Sequence, residues 1–245
     1  MLFFKKKKKT KALGKIVVGE HNNSKNRGGY NRLKDNVLYM NADGNNKVIQ
    51  VESSVSAEGK TTVISNLAVS LGLTDKKVVL VDLDFRRPRV HRMFGLSKDN
   101  GIAEYILGGV EKKDIIKATE YKNVDVVTRG AEIYNSSLVL VSDKFKSLIK
   151  ELRDEYDYVL LDCPPVLQVS DYIHIAKVSD GVLFLVAYAQ TTKTQVAEAV
   201  KELKKNGANI LGSVFTMYDW KKDKDFGGKA YYGYEYGYSR DEGEE

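Results

Sequence analysis

Residues 53–62 read Ser-Ser-Val-Ser-Ala-Glu-Gly-Lys-Thr-Thr and follow directly on the run Lys47-Val48-Ile49-Gln50-Val51. A Gly-Lys-Thr triplet between a strand and a helix is the pattern of a phosphate-binding loop. Backbone N–H groups, a helix N-terminus and a lysine there converge on a polyphosphate. In that reading Lys60 reaches the β- and γ-phosphates and the Thr61 hydroxyl sits on Mg²⁺. Ser56, Ala57, Glu58, Gly59 and Thr62 complete the cradle. The usual first glycine is Ser54. Val63, Ile64, Leu67, Ala68 and Leu71 then mark an apolar face at helical spacing. An ordinary helix N-terminus with a solvated lysine uses similar neighbours, so the loop alone does not decide the chemistry.

Two further runs end in acids. Val78-Val79-Leu80-Val81 leads into Asp82-Leu83-Asp84-Phe85-Arg86-Arg87-Pro88, and Tyr158-Val159-Leu160-Leu161 into Asp162-Cys163-Pro164-Pro165. In a parallel sheet such strand ends deliver side chains to the ligand crevice. Four apolar residues ending in Asp suit a carboxylate that organises Mg²⁺. That ion keeps several waters, so two or three aspartates near Thr61 suffice. Asp82 and Asp84 share one side of an extended segment, so one can organise metal while the other approaches an attacking hydroxyl. The plain alternative is an aspartate that starts a turn. Arg86, Arg87 and Arg89 suit phosphate or acidic partners, or form a solvated basic turn. Cys163 reads as a small buried residue. His91 and His174 read as structural, and His21 has no assigned role.

These residues need a scaffold. Val124–Val127, Val182–Val186 and Ile210–Phe215 are further strand-like runs, continuous as for strands buried on both faces. Phe145, Leu148, Ile149 and Leu152 mark one amphipathic helix; Val196, Ala199, Val200 and Leu203 mark another. The alternation predicts an α/β fold, a P-loop NTPase-like parallel sheet with helices on both faces. Residues 1–28 read as a basic, flexible arm, 29–218 as the folded domain and 219–245 as a flexible, tyrosine-rich tail. Tyr30–Met40 reads as a short helix.

The formal charge of +6 is uneven: residues 1–19 hold seven lysines and no acid, with Lys5–Lys9 consecutive. Such a run is a solvated tail or an attachment to an anionic membrane face, where each lysine adds about 1 kcal/mol. No recognition motif accompanies the charge, so nucleic acid is not an expected partner. A single cysteine excludes an internal disulfide and fits a reducing compartment. No run approaches the ~20 apolar residues of a membrane span and no signal peptide is visible, so the expected location is cytoplasmic.

Residues 231–238 read Tyr-Tyr-Gly-Tyr-Glu-Tyr-Gly-Tyr, placing Tyr231, Tyr232, Tyr234, Tyr236 and Tyr238 in eight positions. A low-complexity tail or a stacking platform for single strands would look similar, but neither accounts for an attached phosphate loop with metal carboxylates. A kinase acting on those tyrosines does. Five phosphates would add roughly −7 to −10, more than the whole formal charge of +6.

Together these residues resemble the bacterial tyrosine kinases of capsular and exopolysaccharide biosynthesis, relatives of the Min and Par ATPases. The resemblance spans Tyr30 to the C-terminus. Ser54–Thr62 stands as the Walker A loop, Val79–Pro88 with His91 and Phe94 as Walker A′, and Tyr158–Pro165 with Asp171 as Walker B. It implies ATP-dependent tyrosine autophosphorylation in trans on a neighbouring subunit's tail, a homo-oligomer, and a membrane activator whose cytoplasmic segment stimulates the kinase. It implies Lys60 for phosphate, Thr61, Asp82 and Asp162 for Mg²⁺, and Asp84 for metal or hydroxyl activation. Gly28, Asn31 and Lys34 replace the family's Glu-x-x-Arg-x-x-Arg; Ile133-Tyr134-Asn135-Ser136 replaces Pro-Pro-Asn-Pro; Thr216 replaces an asparagine near the adenine. A partitioning-type ATPase would carry a second lysine where Val55 stands. A non-catalytic nucleotide-binding scaffold is the other alternative.

Overall fold

A computed structural model describes residues 15–18 and 27–218. The lysine run Lys5–Lys9 and the five tail tyrosines lie outside the described residues. Seven strands form one sheet: β1 (Val48–Ser53), β2 (Val78–Asp82), β3 (Ile116–Ala118), β4 (Val124–Val127), β5 (Tyr158–Asp162), β6 (Gly181–Ala187) and β7 (Ile210–Thr216). Their order is β3-β4-β2-β5-β1-β6-β7. All neighbours are parallel except β3, which runs antiparallel to β4 at one edge. The sheet is therefore mixed rather than purely parallel. A three-residue edge strand needs no crossover helix, and it follows directly on the one-turn α5 (Lys112–Ile115).

β1, β2 and β5 are buried at every position because both faces are covered. On one face Ile49, Val51, Leu80, Leu160, Leu183 and Leu185 pack with Ile64, Leu67, Ala68 and Leu71 of α2 (Lys60–Gly72) and Val37 of α1 (Arg27–Met40). On the other, Val79, Val81, Val159 and Leu161 meet Phe145, Leu148, Ile149 and Leu152 of α7 (Asp143–Glu155). Val182 and Phe184 meet Ala199 and Leu203 of α9 (Lys193–Lys205) there too. Each such buried Val, Leu, Ile or Phe side chain contributes about 1.5–3 kcal/mol relative to exposure. The ends of the later helices are fixed locally. Ser142 Oγ accepts from Phe145 N–H at 3.1 Å to cap α7, and Thr192 Oγ1 accepts from Gln195 N–H at 3.2 Å to cap α9. Short α3 (Val90–Met93), α4 (Ile102–Ile106), α6 (Ser136–Val141) and α8 (Tyr172–Ile175) fill the connections.

Within the stretch read as an arm, Lys15–Val18 has no regular secondary structure and lies on α2. Asn66, buried in mid-helix, accepts from Val17 N–H at 2.7 Å and donates to the Lys15 carbonyl at 3.0 Å and the Thr62 carbonyl at 2.8 Å. Val18 is 1% exposed and belongs to the α2 face of the core. Asn66→Ala strips two backbone groups of this strap of their partners and is expected to lower stability by about 1–3 kcal/mol. Urea unfolding measures that loss, and cleavage in the strap by a nonspecific protease should quicken in parallel.

Candidate functional site

Strand order builds the site. Adjacent β2, β5 and β1 end at the same edge, with Asp82 in register with Asp162 and Val51 in register with Asp162. The loops that follow them surround one cleft of about 330 Å³. One wall is the phosphate loop: Ser56, Ala57, Gly59, Lys60, Thr61 and Thr62. A second carries Asp84, Arg86, Arg87 and Arg89; Pro164, Pro165 and Gln168 form a third.

The phosphate loop is held in a strained, stitched conformation. Gly59 has φ +94° and Ala57 φ +69°, a region that costs an alanine about 1 kcal/mol or more. Glu58 is fully buried and points away from the cleft. Its Oε2 accepts from Val55 N–H at 2.7 Å, and its Oε1 takes the Thr191 hydroxyl and the Ala187 N–H. Thr216 Oγ1 donates to the Glu58 carbonyl at 2.7 Å. Ser53 and Ser54 carbonyls accept from Val166 and Leu167 N–H at 3.0 and 3.1 Å. Of the predicted cradle, Glu58 alone does not line the cleft. It serves as the latch between this loop and the end of β6.

Lys60 is 7% exposed and donates from Nζ to Ser53 Oγ at 2.8 Å. That hydroxyl in turn donates to the Val55 carbonyl at 2.9 Å. Thr61 Oγ1 donates to Asp162 Oδ2 at 2.7 Å, while Asp162 Oδ1 is buried without a hydrogen bond. Burial pushes Asp162 up to about 7; the Thr61 hydrogen bond and the Lys60 charge oppose it, and Asp84 adds to it. A buried hydroxyl–carboxylate pair with one orphaned oxygen fits a hydrated Mg²⁺, which takes few protein ligands. No cluster of three or more His, Cys, Asp or Glu suited to a metal occurs among the described residues.

Asp82 and Asp84 separate. Asp84 lines the cleft, and its Oδ1 accepts from Arg86 and Arg87 N–H at 3.2 and 2.9 Å. Asp82 is fully buried and does not line the cleft. Its oxygens accept from Asp84 N–H at 3.3 Å and Val90 N–H at 3.1 Å, clasping the loop that presents Asp84. Burial drives its carboxyl well above the usual range, with Asp162 and Asp84 adding to the shift.

Some participants carry no sequence signal of their own. Arg129, 7% exposed, donates from Nη1 to the Phe85 carbonyl at 3.1 Å and braces the loop after Asp84. Glu52, fully buried on β1, has no hydrogen bond to either oxygen. The adjacent Cys163 thiol donates to the Leu161 carbonyl at 3.4 Å. Glu52 lies between the strand-like run and the phosphate loop without a motif of its own, and only the covered sheet reveals it as buried. Cys163 is buried, as expected, and burial pushes its thiol up.

A phosphate loop on β1, with acidic ends on the adjacent β2 and β5, defines a P-loop nucleotide-binding protein. The family described as "AAA domain" matches residues 46–212. The chain is 31% identical over 204 residues to tyrosine-protein kinase YwqD of Bacillus subtilis (strain 168), covering 83% of this chain and 85% of that protein. The crystal structure of the chimerical protein CapA2B2 superposes with a TM-score of 0.78 at 28% identity, over 83% of this chain and 92% of that one. The cell-division ATPase MinD of Pyrococcus furiosus gives 0.61 at 30% identity, over 71% and 73%. The chain belongs to the bacterial tyrosine-kinase family of P-loop ATPases, within the superfamily that includes MinD.

Burial raises Glu52 well above its ordinary 4.5, the Lys60 charge only partly opposing it. A carboxyl whose pKa is raised on folding binds a proton more tightly in the native state. Its contribution is therefore most favourable below pH 4.5 and is lost as pH rises toward the folded value. Glu52→Gln cannot ionise. It is expected to be more stable than the parent by about 1–3 kcal/mol at pH 8, with the gap closing toward pH 4. Thermal melts of both proteins across that range test this.

Proposed function

We propose that the chain is an ATP-dependent protein-tyrosine kinase that phosphorylates Tyr231, Tyr232, Tyr234, Tyr236 and Tyr238 of a neighbouring copy. The observation that carries this reading is the single cleft faced by Lys60, the Thr61–Asp162 pair and Asp84, in a chain whose sequence ends in a tyrosine cluster. The phosphate-loop backbone and Lys60 hold the phosphates of ATP. Thr61 and Asp162 would hold Mg²⁺, and Asp82, whose two oxygens each accept one backbone N–H and keep a further lone pair, would join them. Mg²⁺ supplies neutralising charge on the β- and γ-phosphates. Asp84 Oδ2 has no hydrogen bond among the described residues, which supports it as the oxygen that takes the acceptor proton. The tyrosine oxygen bonds to the γ-phosphorus, the bond from that phosphorus to the β–γ bridging oxygen breaks, ADP departs, and the hydroxyl proton passes to Asp84. Lys60 steadies charge on the transferring group throughout.

The same reading assigns the protein to the inner face of the cell membrane, in control of capsular or exopolysaccharide synthesis and export. An activator's cytoplasmic segment, and Lys5–Lys9 against anionic lipid, would hold it there. No described helix is long and apolar enough to cross a membrane. Incubation of purified protein with ATP and Mg²⁺, with and without an activator segment, followed by mass spectrometry of the tail, tests the proposal. An unmodified tail in both arms overturns it.

Two sets of variants test the assigned roles. Lys60→Met keeps the length of the side chain and removes its charge. Phosphotyrosine formation is expected to fall at least about 100-fold, with the circular-dichroism melt preserved. Asp84→Asn is expected to lower kcat by about 10²–10⁴-fold while nucleotide affinity changes little. Asp162→Asn should instead weaken Mg²⁺-dependent nucleotide binding. Titration with a fluorescent ATP analogue beside single-turnover kinetics separates the two. Equal loss of binding in both variants would move Asp84 from proton transfer to metal.

A further inference from the structure

We propose that Arg86 and Arg87 form a rim that reads the acidic side chains flanking the acceptor tyrosines in the tail of a second copy of this chain. The inference rests on the kinase reading and names how its protein substrate is recognised. Asp84 Oδ1 takes the N–H groups of both arginines, so both side chains leave the backbone within one tight turn of that carboxylate. Buried Leu83 and Phe85 anchor the turn from below, and Arg129 braces it through the Phe85 carbonyl. Both arginines are exposed and line the cleft. Neither guanidinium has an ion-pair or hydrogen-bond partner among the described residues.

The lysine and the helix N-terminus that serve a polyphosphate stand on a different loop of the same cleft. The arginines stand on the wall of Asp84, where the acceptor hydroxyl must arrive. The chain itself provides the complementary charge. Residues 231–245 carry the five tyrosines with Glu235, Asp241, Glu242, Glu244 and Glu245 against a single Arg240. Glu235 lies between Tyr234 and Tyr236. Guanidinium forks suit carboxylates at an exposed rim, where charge complementarity guides docking and selects among partners.

The test uses the full chain with the five tail tyrosines changed to Phe, loaded with Mg²⁺ and a non-hydrolysable ATP analogue. Fluorescent peptides of residues 229–245 are titrated at low salt, in the native form and with the five acids replaced by their amides. The amide peptide is expected to bind about five- to tenfold more weakly, and added salt should shrink the gap. In Arg86→Gln/Arg87→Gln the gap should close, with nucleotide affinity held within about twofold. Equal affinities for the two peptides, a gap that persists in the double variant, or a parallel loss of nucleotide affinity would each overturn the proposal. Phosphate transfer to the native peptide, followed separately by mass spectrometry, reports on the kinase reading. Charge-dependent binding without transfer removes that reading and keeps the rim. Transfer with equal affinities does the reverse.

Discussion

The site depends on one lysine held almost out of water beside carboxyls that are buried more deeply still. Lys60 is 7% exposed, while Glu52 and Asp82 are fully buried and Asp162 is 1% exposed. Isolated charges in such a place are costly, so proteins pair them or shift their protonation. Here both occur. Lys60 finds the Ser53 hydroxyl, and all three carboxyls are pushed upward by burial. The arrangement suits a cleft that receives a divalent cation and a polyanion together, because the cation pairs with the carboxyls and the polyanion with Lys60.

Strand order is the second condition. Placing β5 between β2 and β1 sets Asp162 beside both Asp82 and the root of the phosphate loop. The Thr61–Asp162 hydrogen bond then joins two residues 101 positions apart directly. Rigidity comes from the covered sheet. The loops inherit it through Glu58, Thr216 and Arg129, each of which fastens a loop to a strand end or to another loop.

Much of the scaffold was legible because central strands covered on both faces read as unbroken apolar runs. Val124–Val127 matches β4 at both ends, and the other strand runs differ from β1, β2, β5, β6 and β7 by only a residue or two at their ends. α1 starts earlier than its apolar pattern, at Arg27. β3 was illegible, since three residues on a sheet edge, none of them buried, leave no periodic trace. At the site, the residue types that carry chemistry stood out by motif, whereas their supports did not. Glu58 looked like a cradle residue and is a latch; its partners Thr191 and Thr216 lie 133 and 158 positions away. Asp82 and Asp84 share a side by alternation, but the chain leaves the strand after Asp82. Turn geometry then sends only Asp84 into the cleft.

The two principal walls differ in how much of their bonding capacity is already spent. The phosphate-loop wall is closed: Ser53, Glu58 and Thr61 are each engaged by other protein groups, so a substitution there disturbs several contacts together. On the other loop, Asp84 spends one oxygen on its own turn, and the Arg86 and Arg87 side chains spend nothing on the described protein. Changes at Arg86 and Arg87 can therefore alter what docks without moving the groups that hold phosphate, because the turn uses only their backbone N–H groups. A fold arranged this way can keep one phosphate chemistry while its protein substrate changes. The residues that decide the partner are then those with the fewest internal bonds, next to the carboxylate whose position is braced from behind by Asp82 and Arg129.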